Sequence, residues 1–512
     1  MMQRLAVPTT TAGTQGSSKS DPRFSGEEWA RPPFRYWADA FCVVEDWWTR
    51  ATHNVPGVSQ HHEDMVAFGA RQWLDMWSPS NSPLTNPKIA EQTLREGGVN
   101  LARGAGIFLE DAKRLAAGQP PVGVENFAVG KTLAVTPGQV VFRNHLIELI
   151  QYAPAGDTVH PEPVLIVPAW IMKYYILDLS PHNSLIKYLV GQGFTVFCIS
   201  WRNVTAEDRD LSLEDYRRLG VMAALDAISA IVPDRQTHTA GYCLGGTLLA
   251  IAAAGMAEVG DHRLKSMTLF AAQTDFTEPG ELQLFIDDSQ VALLEALMWK
   301  NGTLDSTQMS GAFQLLKSND LIWSHMIHDY LMGERTPMID LMAWNADATR
   351  MPYRMHSDYL RRLFLNNDLA SGRYVVDGNP IAVQNIRVPV FAVGTERDHV
   401  APWHSVYKIH YLADTEVTFV LTNGGHNAGI VNEPGHSHRH FRLLTKVADG
   451  ICLSADEWFA AAPVQDGSWW PAWTTWLGAH SSPERIAPPE MGASAKGYAP
   501  LTPAPGTYVF QR

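Results

Sequence analysis

The chain has 512 residues, of which 46% are hydrophobic and 18% are charged, and its formal net charge is −13. This composition excludes a disordered chain and indicates a globular protein, either one elaborated domain or two to three domains. The acidic balance argues against a nucleic-acid binder, whose binding face is basic, and an anionic ligand would need a local basic entrance.

The cysteines and the N-terminal segment indicate in which cellular compartment the protein is expected. Four widely separated cysteines form neither a disulfide framework nor a zinc-binding spacing, which favours a reducing compartment. The N-terminal segment lacks the apolar core of a signal peptide, and no apolar stretch approaches the ~20 residues of a transmembrane helix. We therefore expect a cytoplasmic protein without a transmembrane segment.

The first part of the chain divides into two regions. Residues 1–23 are rich in Thr, Ser and Gly and are expected to be disordered. Residues 24–135 follow a helical pattern that is dense in aromatic residues. These rings either pack an accessory helical layer or form an exposed surface that meets an apolar partner or product. The aromatic residues concerned are Trp29, Tyr36, Trp37, Trp47, Trp48, Trp73 and Trp77.

Strands and helices alternate over residues 136–275. Strands are predicted at "VVFRNHLIELIQY", "PVLIVPAW", "FTVFCISW", "THTAG" and "SMTLFAAQ". The first predicted helix has Ser180 as N-cap and Pro181 at its first position, and the second begins at a capping box of Ser212 and Asp215. The alternation predicts a mostly parallel, doubly wound α/β sheet.

The alternation stops and then resumes. Residues 276–387 are helical in pattern, and we expect them to form an insertion that covers the sheet as a lid. Residues 388–460 resume the sheet with "VPVFAVGTE", a helix, and "VTFVLTN" as the last strand. Residues 461–512 are expected to form a C-terminal tail.

The segment "GYCLGG" places Cys243 between a predicted strand and a predicted helix. Gly-x-Cys-x-Gly in this setting is the nucleophile elbow of the α/β-hydrolase fold, with cysteine in place of serine. The nucleophile occupies a strained turn, so Gly241 and Gly245 are needed to let the strand and the helix approach. An inert cysteine in a glycine-rich turn is the alternative, and the motif alone does not decide between them.

Two later residues favour the elbow. Asp398 follows the strand "VPVFAVGTE", and His426 lies in a glycine-rich loop after "VTFVLTN". Nucleophile, acid and histidine in this chain order are typical of α/β-hydrolases. His426 would take the thiol proton, and Asp398 would hold the imidazole. The backbone N–H groups of Leu244 and Ile171 are the expected oxyanion hole.

Other residues near these strand ends have different expected roles. Trp170, Tyr242 and His399 are expected to contact substrate. The histidines of "GHSHRH" lack acids or cysteines at metal-binding spacing, so a solvated helix face is expected there and no metal site.

Several segments together resemble one family, the polyhydroxyalkanoate synthases, also called poly-3-hydroxybutyrate polymerases. The segments lie between residues 24 and 450 and include "GYCLGGT", "TDFTEPGELQLFID", "WNADATRMP", "GTERDHVAPW" and "GGHNAGIVNEPG". The chain departs from the family's Pro-Pro-x-Ile-Asn-Lys at Ala169 and Met172, which bears on the shape of the acyl pocket.

The resemblance implies an acyltransferase that joins (R)-3-hydroxyacyl groups from coenzyme A thioesters into polyester and releases coenzyme A. Cys243 would carry the acyl chain as a thioester, and Asp398 would orient His426 or help to deprotonate the attacking 3-hydroxyl. No cofactor is implied. A homodimer associated with polyester granules, and granule-associated proteins as further partners, are also implied. Cations considered for the coenzyme A phosphates are Lys173, Arg202, Arg361 and Arg362.

Two alternatives share these features. A cysteine-dependent α/β-hydrolase, such as a thioesterase or lactone hydrolase, would use the same three residues but release free 3-hydroxy acid. A non-catalytic protein of the granule surface would keep the fold without needing Cys243. The products therefore discriminate between the enzymes, and Cys243→Ala discriminates enzyme from binding protein.

Overall fold

A computed structural model of the protein describes residues 21–305 and 322–512. Its internal contacts divide the chain into two compact units. The first unit comprises Met1–Pro121 with Gly311–Pro337, and the second comprises Val122–Ser310 with Met338–Arg512. The prediction of a disordered segment 1–23 falls mostly outside the described residues; Pro22–Phe24 form a 3-10 helix capped by Asp21.

The first unit is helical, as the pattern of residues 24–135 predicts. Its helices are α1 (Phe34–Thr52), α2 (Gln60–Met76), α3 (Pro87–Arg95) and α4 (Val99–Ala116). Ser59 caps α2 and Asn86 caps α3, each accepting hydrogen bonds from backbone N–H groups that would otherwise lack partners. A small apolar core of Phe24, Trp29, Ala38, Phe41, Cys42 and Leu74 holds α1 against α2.

The second unit is built on one large sheet and two small two-stranded sheets. The strands are β1 (Gly138–Arg143), β2 (Ile147–Tyr152), β3 (Val164–Val167), β4 (Val196–Trp201), β5 (Thr237–Tyr242), β6 (Leu264–Phe270), β7 (Thr303–Leu304), β8 (Met351–Pro352), β9 (Tyr374–Val376), β10 (Asn379–Ile381), β11 (Val390–Thr395), β12 (Val417–Thr422), β13 (His440–Lys446), β14 (Val464–Asp466) and β15 (Thr502–Pro503).

Eleven strands form one sheet in the order β14-β13-β12-β11-β6-β5-β3-β4-β2-β1-β15. The centre is parallel from β4 through β12, which confirms the predicted sheet. These parallel strands are buried along almost their whole length, as their continuous apolar runs indicate.

The edges of the sheet correct two predictions. The segment "VVFRNHLIELIQY" is a hairpin of β1 and β2 rather than one strand, because the Asn144 side chain accepts from the N–H groups of Leu146 and Ile147 and turns the chain. The strand β12 is not the last one, since β13 and β14 continue the sheet antiparallel to it. Most residues of β13 are only half-buried, so it has no continuous apolar run.

The helices of the second unit are α5 (Leu185–Gly191), α6 (Leu213–Asp215), α7 (Ala223–Ile231), α8 (Leu244–Glu258), α9 (Asp288–Asn301), α10 (Asp340–Asn345), α11 (Tyr353–Tyr359), α12 (Trp403–Tyr407), α13 (Ile409–Leu412), α14 (Ala455–Ala461) and α15 (Trp470–Ala479). Two π-helical segments, Tyr216–Met222 and Leu360–Leu365, directly follow α6 and α11.

The helix boundaries agree with the sequence at one cap and differ at another. The capping box of Ser212 and Asp215 is confirmed. The helix expected from Ser180 instead begins at Leu185, and its N-cap is Ser184, whose hydroxyl accepts from Lys187 N. Ser180 is not the cap because its hydroxyl donates to Asp340 Oδ2 at 2.6 Å.

Residues 461–512, expected as a tail, pack onto the sheet. Trp469, Trp470 and Trp473 at the start of α15 are fully buried, and the Trp473 indole donates to Thr268 on β6. The strand β15 pairs with β1. The buried carboxylate of Glu148 accepts from the backbone N–H groups of Thr507 and Tyr508, which follow β15. The expected lid, 276–387, contains α9 to α11, the paired strands β7 and β8, and the hairpin β9–β10. Its residues 306–321 lie outside the described part.

Candidate functional site

Cys243 lies at a strained turn between β5 and α8. Its backbone has φ 53° and ψ −125°, in a region that L-residues with a side chain rarely adopt. The turn is held by the hydrogen bond from Cys243 N to Phe270 O on the neighbouring strand. Strain of this kind persists only where the surroundings impose it, and it raises the half-buried thiol above the sheet edge. The predicted sharp turn is confirmed.

Three glycines make this turn sterically accessible. A Cβ at Gly241 would come closer than 3.0 Å to Gly246, and a Cβ at Gly245 would come that close to the carbonyl oxygens of Val167 and Pro168. A Cβ at Gly246 would collide with Ala272. The first turn of α8 therefore lies directly against the end of β3, which places the loop after β3 beside Cys243.

Asp398 and His426 come together at the same sheet edge. His426 Nδ1 is 2.8 Å from Asp398 Oδ2, which also accepts from the Thr395 hydroxyl at 3.2 Å. Asp398 Oδ1 accepts from the N–H groups of Val400 and Ala401, both at 2.9 Å. Four donors thus fix the orientation of the buried carboxylate, and the carboxylate fixes that of the imidazole.

The imidazole also lies close to the side chain of Cys243. Burial disfavours the imidazolium, but the charges of Asp398 and Cys243 and the hydrogen bond to Asp398 outweigh it and raise the pKa of His426 well above its ordinary 6.5. For Asp398, burial favours the neutral acid, but the charge and hydrogen bond of His426 and the two backbone amides lower its pKa below the ordinary 3.8. The structure thus brings Cys243, His426 and Asp398 together at one edge of the sheet, with His426 hydrogen-bonded to Asp398.

Backbone and side-chain hydrogen bonds join the loops that carry Cys243, Asp398 and His426. Arg397 N donates to Gly424 O at 2.9 Å, which joins the loop of Asp398 to that of His426. The Tyr242 hydroxyl, directly before Cys243, donates to Asn427 Oδ1, directly after His426. The ring centroids of Tyr242 and His426 are 5.6 Å apart. Tyr242, expected to contact substrate, is buried and contacts the histidine loop.

The expected oxyanion donors lie on the two segments that meet at the elbow. Leu244 is the first residue of α8, so its N–H has no acceptor within the helix, whereas those of Gly246 and Thr247 donate to Cys243 O. Ile171 lies in the loop after β3, where Ile171 O accepts from Thr349 N at 3.1 Å.

The other two expected substrate contacts occupy different environments. The Trp170 ring is buried and packs against Trp201 and Tyr216, with centroids 5.7 and 4.8 Å away. His399 directly follows Asp398 and is half-buried. Their roles toward substrate remain predictions.

The cations considered for phosphate binding already have partners. The partners are Gln511 O for Lys173, Asp208 for Arg202, Glu295 for Arg361 and Asp358 for Arg362. Lys173 is also buried, which lowers its pKa to about 8. The prediction for Lys173 is wrong because a buried ammonium bonded to the backbone cannot meet a solvated phosphate.

The "GHSHRH" segment is not a helix face. His436 lies in a turn with Nδ1 2.8 Å from Glu433, and His440 begins β13. Within residues 21–305 and 322–512, the only three metal-ligating side chains that converge are Asp21, Cys42 and Glu45. The Arg23 guanidinium bonds both carboxylates at 2.6 Å, so a cation already occupies that cluster.

Tyr359 lies near Cys243, a proximity that the sequence did not indicate. Burial and the nearby charge of Cys243 raise the pKa of its phenol well above the ordinary 10.0. Its ring packs on Phe364 with centroids 5.3 Å apart, directly before the π-helical segment Leu360–Leu365. It comes from the expected lid, where the helical pattern gives no signal of proximity to the sheet edge.

Comparisons with known proteins agree with this architecture. The model for the N-terminus of poly-beta-hydroxybutyrate polymerase (PhaC) matches residues 20–189, and that for the alpha/beta hydrolase fold matches residues 162–433. A poly(3-hydroxyalkanoate) polymerase of Methylorubrum extorquens is 42% identical over 96% of this chain and 80% of its own length. The polymerase subunit PhaC of Cupriavidus necator is 35% identical over 96% of this chain and 83% of its own. Among solved structures, a Paleococcus ferrophilus monoacylglycerol lipase is 13% identical, with a TM-score of 0.34, over 55% of this chain and 90% of that chain.

The fold and the matched domain make this protein an α/β-hydrolase-fold enzyme. More specifically, the chain belongs to the poly(3-hydroxyalkanoate) polymerase family, whose members are acyltransferase-type polymerases. The family, the fold class and the enzyme class predicted from the sequence are confirmed. In the described parts of the chain, no helix has the length and apolar character needed to cross a membrane.

Proposed function

We propose that the chain polymerises (R)-3-hydroxyacyl groups from coenzyme A thioesters into polyester and releases coenzyme A through an acyl-cysteine intermediate. The main support is that Cys243, at a nucleophile elbow, lies close to the His426–Asp398 pair in a member of the polymerase family. A hydrolase could use the same three groups, so the proposal also depends on the fate of the acyl group.

In the acylation step, His426 Nε2 accepts the thiol proton as the sulfur of Cys243 attacks the thioester carbonyl. The new carbon–sulfur bond forms at the enzyme, the bond to coenzyme A breaks, and the proton passes to the departing thiolate. Asp398 bonds Nδ1 and so leaves Nε2 facing the sulfur. Thioester is exchanged for thioester, so the acyl group stays activated for transfer.

During this step negative charge develops on the carbonyl oxygen of the substrate, and hydrogen-bond donors are needed to stabilise it. The N–H of Leu244 is the first amide of α8, where the positive end of the helix dipole adds to its effect. We propose Ile171 N–H as the second donor. Both amides are backbone groups held by their own segments, so they need little reorganisation when the charge develops.

In elongation, the 3-hydroxyl of one acyl unit attacks the acyl-cysteine thioester of another. The ester bond forms, the carbon–sulfur bond to Cys243 breaks, and the hydroxyl proton passes to the departing thiolate. The sequence left Asp398 two roles, orienting His426 or deprotonating the hydroxyl directly. The side chain of Asp398 is fully buried, and both oxygens are occupied by four donors. We propose the orienting role, with His426 as the base that accepts the hydroxyl proton.

Polymer growth requires that the hydroxyl outcompetes water at the acyl-cysteine. Of the expected lid, 276–387, we propose that the described parts in the second unit, 276–305 and 338–387, exclude water. The support is the packing of Phe276 and Tyr359 with the core cluster that also contacts Cys243. A lid that opens should raise the ratio of free 3-hydroxy acid to polymer in the assay below.

We also propose that the protein acts in the cytoplasm as a homodimer at the surface of polyester granules, alongside granule-associated proteins. The support lies in the first unit, where the outer faces of α1 and α2 carry large exposed apolar side chains. These include Tyr36, Val43, Val44, Trp47, Val66, Trp73, Met76 and Trp77.

The test compares Cys243→Ala with wild type on 3-hydroxybutyryl-coenzyme A. We expect free-thiol release to fall by about 10⁴-fold or more, since no other group can hold the acyl chain. Cys452→Ala removes a thiol that lies outside the site and should leave the rate unchanged. Sizing of the wild-type product separates polymer from free 3-hydroxy acid.

Two results would contradict the proposal. Undiminished release by Cys243→Ala would mean that the sulfur carries no acyl group. Quantitative formation of free 3-hydroxy acid by wild type, without polymer, would assign the chain to the hydrolase alternative.

A further inference from the structure

The segment before β8 is hydrogen-bonded to the loop that follows β3. Thr349 is buried and makes two hydrogen bonds to that loop: its hydroxyl donates to Trp170 O at 2.5 Å, and its N–H donates to Ile171 O at 3.1 Å. The two acceptors are the carbonyls on either side of Ile171 N–H. Thr349 therefore binds two successive peptide units: the one that contains Ile171 N–H and the one that follows it.

The geometry of a peptide unit makes the first of these bonds informative. Trp170 C=O and Ile171 N–H belong to the same planar unit, and in a trans peptide they point in opposite directions. A hydroxyl that fixes the direction of Trp170 C=O therefore fixes that of Ile171 N–H, which points away from Thr349. Without the hydroxyl, this peptide could rotate and present its carbonyl in place of its N–H.

The rest of the loop has independent anchors. The Trp201 indole donates to Pro168 O at 2.8 Å, and the Trp344 indole donates to Lys173 O at 2.7 Å. Lys173 Nζ donates to Gln511 O. These bonds secure the two ends of the loop, and a backbone bridge joins Met172 to Ala348. The carbonyl of the Trp170–Ile171 peptide is bonded by the Thr349 hydroxyl. The start of the loop also lies against Gly245, so the amide is close to the elbow.

We propose that Thr349 is a positioning residue that orients the Trp170–Ile171 peptide so that Ile171 N–H serves the oxyanion hole. This inference rests on the proposed function. It adds a side chain from the region expected to be a lid, so the covering segment also sets the geometry of transition-state stabilisation.

The main test is Thr349→Val, which keeps the shape and removes the hydroxyl. The acylation rate and kcat for coenzyme A release should fall about 10- to 100-fold with KM within about twofold, because the donor acts on charge that develops only in the transition state. Thr349→Ser, which keeps a hydroxyl, should restore most of the rate. Thr239→Val is the matched control, since it removes a buried hydroxyl bonded to Ser266 O, away from this loop.

A second measurement separates positioning from general damage. Iodoacetamide alkylates the Cys243 sulfur by displacing iodide, with no charge on a carbonyl oxygen, so its rate should be the same in wild type and Thr349→Val. If Thr349→Val does not fold, Thr349→Ala compared with Thr349→Ser gives the same contrast.

Three results would overturn the inference: a wild-type kcat in Thr349→Val, an equal loss in Thr349→Ser, or a parallel loss of alkylation. None of these results would contradict the proposed function. That proposal is contradicted only if Cys243→Ala retains coenzyme A release or if no polymer forms. Loss of thioester acylation alone, with alkylation and KM preserved, supports the role of Thr349.

Discussion

At the scale of single residues, the buried pair of Asp398 and His426 links chemistry to stability. The pKa of His426 is raised and the pKa of Asp398 is lowered, and each residue causes part of the other's shift. The charge of each is compensated in part by the charge of the other. Removing one partner should therefore affect both catalysis and the pH dependence of stability.

The sign of that dependence follows from the two shifts. A raised pKa in His426 gives stability that is fully present below its ordinary value of 6.5 and is lost as pH rises through the folded value. A lowered pKa in Asp398 gives stability that is present above its ordinary value of 3.8 and is lost as pH falls through the folded value. The two windows overlap between these values.

Asp398→Asn should therefore lower Tm most, relative to wild type, between pH about 4 and 6.5, and less at pH about 9. The same variant should lower kcat by about 10³- to 10⁴-fold, because an amide no longer holds the imidazole as the carboxylate does. Asp414→Asn, which removes an exposed acid paired with Arg387, should show neither effect. A Tm difference that does not vary with pH would contradict this assignment.

At the scale of elements, the contact between β3, β5 and α8 determines where the thiol lies. The helix can begin directly after Cys243 only because glycines occupy the positions where it meets the neighbouring backbone. The obstacles at Gly245 are carbonyl groups of the strand end, which cannot rotate away as a flexible side chain could. The elbow is thus a packing constraint as well as a sequence motif.

Gly245→Ala should destabilise the protein by about 1–3 kcal/mol and lower coenzyme A release at least about tenfold, since α8 must shift to admit a methyl group. Gly191→Ala, at the end of α5, is the control because nothing lies within 4 Å of the added atom. Denaturant midpoints and kcat measure the two effects. A Gly245→Ala protein with wild-type kcat would show that the elbow tolerates a shift of α8.

At the scale of the whole molecule, the two compact units differ in what they expose. The first unit has a small apolar core, yet Tyr36, Trp47, Trp73 and Trp77 are each between 55% and 68% exposed. On α1 the exposed residues recur every three to four positions on the side opposite the core, so one helix has two apolar faces. Such a surface indicates an apolar partner, and the polyester product is the partner that we propose.

A Trp47→Gln, Trp73→Gln double variant should bind amorphous polyester particles several-fold less than wild type in a sedimentation assay, with unchanged kcat on soluble thioester. Ile451→Gln, an exposed apolar residue of the second unit, is the control and should bind as wild type. Equal binding by the double variant would remove this surface from granule attachment. Conversion of a dimer to a monomer, seen by ultracentrifugation, would assign the surface to a second copy of the chain.

The parallel centre of the sheet and the capping box at Ser212 could be predicted from local sequence patterns. The same patterns led to the proposals of a helical first region and of Cys243, Asp398 and His426 as the reacting groups. Each of these depends on interactions local to the chain: continuous apolar runs, cap spacing, and polar residues placed directly after strand ends. The family resemblance rested on the same segments.

Which distant groups meet becomes visible only in the folded chain. The burial of Lys173 against Gln511, the packing of α15 on the sheet and the bonds from Thr349 to the loop after β3 all join segments far apart in the chain. The antiparallel strands β13 and β14 are near neighbours in the chain, but their half-buried and exposed residues form no apolar run. No local pattern encodes these contacts, because a hydroxyl or a half-buried strand has the same sequence signature whichever partner it finds. Their free energy comes from burial and hydrogen bonding that exist only once the chain has folded.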